Sequence, residues 1–146
     1  MGKAHSHAWR DVPRFFDPEA TPVLKLVCGR NEEPLRQFAA RWGWAETETD
    51  WRKAVARRDI DVVDICTPTY LHQDIALAAA RAGKHILCEK PFALNVEQGR
   101  RMYEAARTAG VVHYVNHNYR RCPAVVLARQ LIDQGKVGRF LGPDEF

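Results

Sequence analysis

Short apolar runs alternate with amphipathic segments along most of the chain. The apolar runs are rich in Val, Ile and Leu, which is typical of buried strands. In the segments between them, apolar residues recur every three or four positions, which predicts helices. The predicted strands lie at residues 23–28, 44–46, 61–66, 85–88 and 111–115. The predicted helices lie at residues 3–16, 32–42, 51–55, 71–82, 95–106 and 123–132.

Capping residues mark several of these boundaries. Asn31 is a suitable N-cap for the second helix, and Thr49 or Asp50 for the third. Asn95 with Gln98 three residues later resembles a capping box. Glycines follow the second, fourth and fifth helices, as is common after a helix C-terminus. The inward positions predicted for the fifth helix are Val96, Gly99, Met102, Tyr103 and Ala106.

The first helical segment has a less regular pattern. Apolar residues are spaced as an inward stripe on one helix face, and Pro13 is expected to interrupt the helix or end it early. His5 and His7 are two positions apart, so they point to different faces and do not form a metal-binding pair. The predicted stripe consists of Ala4, Ala8, Trp9, Val12 and Phe16.

The alternation of helices and strands predicts an α/β protein with a Rossmann-like, doubly wound parallel sheet. In such a fold the first strand lies in the middle of the sheet and leads into a glycine-rich loop at a helix N-terminus. This chain opens on a helix, so we expect a gap beside strand 23–28. Gly2 stands where the last glycine of that loop would fall.

Two strands are followed by polar residues and a proline, Thr67-Pro68 and Glu89-Lys90-Pro91. In open α/β sheets the ligand crevice lies at the carboxyl ends of the strands. We therefore expect these five residues to line one crevice.

Composition excludes several classes of protein. The chain has 146 residues, 46% hydrophobic and 27% charged, which is ordinary for a globular domain. No apolar run is long enough to cross a bilayer, and the N-terminus lacks the apolar core of a signal peptide. The net charge of +4 is spread over scattered pairs on helices, which is typical of solvated helix faces. Among functional explanations, a phosphate-bearing ligand is favoured over nucleic acid.

The four cysteines have no C-x-x-C spacing, which argues against a metal site. We expect buried, reduced thiols in a cytoplasmic protein without membrane partners. The cysteines are Cys28, Cys66, Cys88 and Cys122.

Three motifs carry a resemblance to a known family. The first is Asp64-Ile65-Cys66-Thr67-Pro68 with His72, and the second runs from Gly83 to Glu89-Lys90-Pro91. The third is Asn118-Tyr119-Arg120-Arg121 with Pro123. In order and spacing the chain resembles the nucleotide-binding domain of the Gfo/Idh/MocA oxidoreductases.

The resemblance implies hydride transfer between NAD or NADP and a sugar, polyol or related hydroxyl compound. It places Lys90 at the reacting hydroxyl as the catalytic residue, and it implies a cis bond between Lys90 and Pro91. Taken without the motif, Lys90 is better explained as a surface lysine at a strand end. The candidate cofactor-binding residues are Gly2, Gly29, Arg30, Thr67, Pro68, His72, Glu89, Pro91 and Arg120.

Strand 23–28, which corresponds to the second strand of a complete dinucleotide-binding fold, departs from the usual pattern. An acid that binds the ribose hydroxyls of NAD often ends this strand, whereas here Gly29 is followed by Arg30. An arginine favours the 2′-phosphate of NADP. The alternative is that Arg30 is a solvated turn residue.

Several interpretations remain open. We expect residues 1–135 to form a partial NAD(P)-binding domain and residues 136–146 to begin the connection to an α+β substrate domain, through which relatives form homo-oligomers. The 146 residues alone are expected to be inactive. The alternatives to an oxidoreductase are a non-catalytic nucleotide-binding relative and an NAD-dependent glycoside hydrolase. A nucleic-acid binder is the least favoured of the four.

Overall fold

The computed structural model describes residues 1–138, and the predicted order of helices and strands is confirmed. Short 3-10 turns lie at Thr69–Leu71 and Asn118–Arg121. The helices are α1 (Gly2–Phe15), α2 (Glu32–Trp42), α3 (Trp51–Ala56), α4 (His72–Arg81), α5 (Val96–Thr108) and α6 (Pro123–Asp133). The strands are β1 (Leu26–Cys28), β2 (Glu46–Glu48), β3 (Val62–Ile65), β4 (His85–Glu89) and β5 (His113–Asn116).

The strands form two separate sheets, which agrees with the gap expected beside β1. β1 pairs with β2 in parallel, and β3, β4 and β5 form a second sheet in that order, with β3 and β4 parallel. Within the described residues no ladder joins β1 to β3. The α/β class with parallel, Rossmann-like strands is therefore confirmed.

Local signals set most helix ends correctly. The side chain of Asp50, rather than that of Thr49, caps α3 by accepting from the backbone amide of Arg52. The Asn95 side chain accepts from the amide of Gln98 at 2.9 Å and begins α5. Gly43 ends α2 with a φ of 79°, a conformation that glycine adopts without steric cost.

Strand boundaries were predicted less well. β1 has three residues instead of six, and β2 begins two residues later than expected. The later start of β2 has its cause at the end of α2, where the backbone amide of Trp44 donates to the carbonyl of Ala39. Trp44 therefore belongs to the helix end, and the strand can begin only after it.

The main core lies between α3, α4, α5 and the three-stranded sheet. Alanines on α4 let the helix approach the strands closely, and Ala79 is completely buried. The inward positions predicted for Val96 and Tyr103 are wrong. Val96, the first residue of α5, is 79% exposed, and Tyr103 is 49% exposed. The central members of the core are Ile65, Ile75, Ala76, Ala79, Ile86, Cys88, Met102 and Ala106.

The predictions for α1 were wrong in two respects. The helix continues through Pro13 to Phe15, since a proline in the last turn removes one backbone donor while the amide of Phe16 still reaches the carbonyl of Val12. The predicted apolar stripe is also wrong: Ala4 and Ala8 are exposed. The buried residues of α1 are His5 and Ser6, both polar.

A charged cluster joins the start of the two-stranded sheet to the segment that precedes β3. The Lys25 ammonium lies 2.7 Å from Glu46 and 3.3 Å from Asp59, and Arg57 pairs with both carboxylates. Hydrogen bonds from Arg57 and then Lys25 lower the pKa of Glu46 to about 2. These side chains are solvated, so the cluster is sensitive to salt and acid.

The chain forms two compact units, Met1–Val115 and Asn116–Phe146. In the second, the described part contains the turn at Asn118–Arg121 and α6. The predicted domain boundary at residue 135 remains a prediction, and residues 139–146 of the expected connection at 136–146 lie outside the described residues. Of the helices described, none combines the length and the apolar character needed to cross a membrane.

Candidate functional site

The ends of β3 and β4 emerge at the same edge of the three-stranded sheet. Ile65 lies opposite Cys88 in the parallel register, so the residues that follow each strand are neighbours. Thr67-Pro68 and Glu89-Lys90 are therefore brought together as the sequence predicted. Pro68 and Lys90 are exposed there, whereas Glu89 is buried.

The turn after β4 has a fixed backbone. The bond between Lys90 and Pro91 is cis, as the resemblance implied. The carboxylate of Glu89 is 2% exposed, and its Oε2 accepts a hydrogen bond of 3.0 Å from the backbone amide of Lys90. The Lys90 side chain thus extends into solvent from an anchored main chain.

His72 connects the segments that follow the two strands. Its Nε2 lies 2.9 Å from the carbonyl oxygen of Thr67, and its Nδ1 lies 3.2 Å from the carbonyl oxygen of Phe92. Because the residue is 1% exposed and both ring nitrogens face main-chain carbonyls, His72 holds the two segments together. Its direct contact with a cofactor stays a prediction.

Thr67 has a polar atom that the fold leaves unsatisfied. Its Oγ1 is buried and has no hydrogen-bond partner within the part of the chain described. Leaving a buried hydroxyl unpaired is unfavourable, so such atoms call for an explanation. A ligand group at the carboxyl edge of the sheet would supply the missing partner.

A buried charged group beside this edge was missed by the sequence reasoning. The Nδ1 of His5 lies 2.8 Å from Oδ2 of Asp64, and its Nε2 lies 2.9 Å from Oε1 of Glu89. Trp9 donates its indole N–H to the same Asp64 oxygen at 2.7 Å. The hydrogen bond that His5 donates to Asp64, followed by one with Cys66, raises the pKa of His5 to about 11.

One signal for this group was present in the sequence. Asp64 stands inside the apolar run Val62–Ile65, where a carboxylate requires a partner. The sequence did not show which residue provides it, because His5 is 59 positions away.

The same cluster offers possible metal ligands. Ligand atoms of His5, Asp64 and Cys66 lie within 4.8 Å of one another. In this arrangement the ring nitrogen of His5 faces a carboxylate oxygen directly, and a metal ion would have to displace that hydrogen bond. The prediction that the protein holds no metal remains untested.

The cysteines are free thiols in the described structure, but they are not all buried. Cys88 is buried, whereas Cys66 and Cys122 are partly covered and Cys28 is exposed. The expectation of buried thiols was therefore wrong for Cys28, which ends the short edge strand β1.

The remaining cofactor candidates lie in three places. Gly2 begins α1, and Gly29 follows β1 with its amide donating to the carbonyl of Glu48. Arg30 is exposed at the turn after β1. Arg120 lies in the 3-10 turn of the second unit. Their roles in binding stay predictions.

Comparison with known proteins decides the family. Residues 1–117 match the model of the Gfo/Idh/MocA oxidoreductases, described as an oxidoreductase family with an NAD-binding Rossmann fold. The chain belongs to the Gfo/Idh/MocA family. The resemblance inferred from the motifs is thus confirmed, as is a nicotinamide dinucleotide as the cofactor of the fold.

Two relatives with known activities show how far the similarity extends. Levoglucosan dehydrogenase from Pseudarthrobacter phenanthrenivorans is 49% identical over 142 residues, which is 97% of this chain and 36% of the relative. The 1,5-anhydro-D-fructose reductase of Ensifer adhaerens is 42% identical over 102 residues, covering 70% of this chain and 31% of the relative. The chain thus spans about a third of each of these Gfo/Idh/MocA relatives.

Solved structures agree with these relatives. Levoglucosan dehydrogenase in complex with NADH and levoglucosan superposes with a TM-score of 0.91 at 48% identity, covering 97% of this chain and 38% of that one. An oxidoreductase domain protein from Kribbella flavida gives a TM-score of 0.89 at 50% identity, covering 94% and 38%.

Proposed function

We propose that this chain is the nucleotide-binding part of an NAD(P)-dependent oxidoreductase that acts on a hydroxyl group of a sugar or polyol. The observation that carries the proposal is the Glu89-Lys90-Pro91 turn at the carboxyl end of β4, beside the end of β3. The family match supports it, because the relatives described above are named as enzymes that oxidise or reduce sugars.

The residues at this edge fit a dinucleotide. The buried Oγ1 of Thr67 needs a hydrogen-bond partner. Pro68 and Lys90, which follow β3 and β4 at this edge, are exposed. Gly29 also suits a tightly packed turn, since a Cβ there would lie 3.0 Å from the Leu35 side chain. When bound, the nicotinamide cofactor supplies or accepts the hydride.

Lys90 would act as the general base for the proton of the substrate hydroxyl. Oxidation of an alcohol carbon requires the hydroxyl proton to leave as the hydride leaves, and the neutral amine of Lys90 would accept that proton. The ammonium group formed in this way stabilises the negative charge that develops on the oxygen in the transition state. The hydrogen bond from the Lys90 amide to Glu89 restrains the main chain from which the side chain extends.

The proposal is tested with the product of the complete gene in which these residues occur. We expect NADH or NADPH fluorescence to change on binding, and reduced cofactor to accumulate when sugars, anhydrosugars or polyols are added. Failure of the protein to bind either dinucleotide would overturn the proposal. Dinucleotide binding without turnover on any substrate of the panel would instead support a non-catalytic relative.

The glycoside hydrolase alternative has a separate signature. A hydrolase of that kind would release nitrophenol from a nitrophenyl glycoside with NAD present in catalytic amounts, and no NADH would accumulate. We propose further that the 146 residues alone bind nucleotide weakly and do not turn over substrate, since they span 36% of the levoglucosan dehydrogenase chain.

A further inference from the structure

The ring of His5 bridges two carboxylates that come from different strands. Nδ1 faces Asp64 of β3 at 2.8 Å, and Nε2 faces Glu89 at the end of β4 at 2.9 Å. His5 is 8% exposed and Glu89 is 2% exposed, so water screens these contacts poorly. The bridge therefore joins α1 to the edge of the sheet where Lys90 is located.

The contacts assign the charge of the ring when both carboxylates are ionised. A neutral imidazole has one N–H donor and one acceptor, whereas an ionised carboxylate only accepts. With Asp64 and Glu89 both ionised, both ring nitrogens must donate, which makes His5 an imidazolium. The raised pKa of His5, caused first by Asp64, agrees with this assignment.

The hydrogen bonds continue from the ring to the backbone of Lys90. Oε1 of Glu89 accepts from His5, and Oε2 of the same carboxylate accepts from the Lys90 amide. Both oxygens of Glu89 are thus engaged, which restricts rotation of the carboxylate. On the other side of the ring, the indole of Trp9 holds Asp64 at 2.7 Å.

We propose that His5 is a positioning residue for the reaction, which fixes the carboxylate of Glu89 and through it the main chain that carries Lys90. The inference rests on the proposed function, because Lys90 is the group to be positioned. His5 does not touch the substrate in this proposal. It acts indirectly: His5 holds Oε1 of the Glu89 carboxylate, and Oε2 of the same carboxylate accepts from the Lys90 amide.

A purely structural ion pair is the competing explanation. It would stabilise the fold without affecting the turn, and its loss would lower the free energy of unfolding alone. The two explanations differ in whether the Lys90 amide and the catalytic rate respond when the protein remains folded.

The first experiment uses the unaltered, cofactor-free protein. Nitrogen-15 NMR at about pH 8, where an ordinary histidine is neutral, should show both ring nitrogens of His5 protonated. A neutral ring would overturn the proposal. This measurement requires no variant and does not depend on whether the protein proves to be an oxidoreductase.

The second experiment compares His5→Gln with His7→Gln in the complete protein. His7 lies on the same helix but is exposed and pairs with Asp11, so its replacement is a matched control. In His5→Gln we expect the Lys90 amide to exchange its proton faster and kcat to fall about 10- to 100-fold, the effect of a small misplacement. The KM for the cofactor should change little, and His7→Gln should resemble the unaltered protein.

The outcomes separate the two proposals. An unchanged Lys90 amide together with an unchanged kcat in folded His5→Gln would refute the positioning role. Absence of turnover in the unaltered protein would refute the proposed reaction, while amide exchange would still show whether His5 holds the turn. If His5→Gln does not fold, His5→Asn is the second variant, and the NMR of the unaltered protein still decides the charge of the ring.

Discussion

The Nε2 atom of His5 lies 2.9 Å from Oε1 of Glu89, a residue 84 positions later in the chain. The contact joins the first helix to the last residue of β4 and lies in the buried part of the molecule. It places a cation directly beside the carboxylate that precedes Lys90. Both the stability of the fold and the geometry of the proposed site therefore depend on the proton carried by His5.

Replacement of His5 should reveal a stability contribution that decreases with pH. The folded state binds the His5 proton more tightly, with a pKa of about 11, than the unfolded state does near 6.5. The contribution is complete below about pH 6.5 and is lost as pH rises towards 11. Urea unfolding of the unaltered protein and His5→Gln across this range measures the difference in free energy of unfolding.

Other titrating groups near the ring must be controlled. Asp64, Glu89 and Cys66 surround it, and burial raises the pKa of the Cys66 thiol. Both proteins should therefore carry Cys66→Ala. A free-energy difference that does not vary with pH would contradict the imidazolium assignment.

Lys90→Ala in the complete protein should lower kcat far more than it weakens cofactor binding. Loss of general acid–base assistance typically costs about 100- to 10,000-fold in rate. Lys90→Arg should restore little, because a planar guanidinium does not replace a compact ammonium that can release a proton. Lys53→Ala, at an exposed position on α3, is the control. Unchanged turnover in Lys90→Ala would leave Lys90 a structural residue.

Arg30→Ala tests the sequence-based preference for NADP. We expect NADPH affinity to fall about 10- to 100-fold, the value of a hydrogen bond to a charged group, while NADH affinity changes little. A solved structure of levoglucosan dehydrogenase is a complex with NADH, so this relative and Arg30 favour different cofactors. Calorimetric titration of the unaltered protein and Arg30→Ala with both cofactors measures these affinities. The preference for NADP would be contradicted if the substitution weakened both cofactors equally, or if the unaltered protein bound NADH more tightly than NADPH.

The charged cluster around Glu46 should make the fold sensitive to acid. Because Arg57 and Lys25 lower the pKa of Glu46 to about 2, its contribution is present above about pH 4.5 and is lost as pH falls through 2. Glu46→Gln should therefore be less stable than the unaltered protein at neutral pH and equal to it at the acid end. Added salt should reduce the difference, and Glu104→Gln, on the exposed surface of α5, should show none.

The 146-residue chain should unfold below about 45–65 °C, the range of ordinary mesophilic domains. β1 and β3 each have an edge without a strand partner among residues 1–138, so ladder groups there depend on solvent. Addition of a strand-forming segment before Met1 is expected to raise the melting temperature. Calorimetry on the two forms checks this, and a cooperative transition of the shorter chain within that range would refute it.

The sequence alone determined the class of fold and most of the elements. Hydrophobic periodicity, Asn95 and the glycines after helices act over a few residues, so their effects can be predicted without knowledge of the fold. The motif Glu89-Lys90-Pro91, together with Thr67-Pro68 and His72, likewise identified the family and one edge of the sheet. Strand lengths were less predictable, since β1 extends only over the three residues that pair with β2.

The tertiary structure decided which face of α1 is buried. Periodicity favoured Ala4 and Ala8, but the helix buries His5, because Asp64 and Glu89 provide a site where an imidazolium is more stable than in water. That preference depends on the three-dimensional positions of two carboxylates on different strands. Local patterns contain no information on such long-range contacts, and so the charged bridge beside Lys90 became visible only in the folded protein.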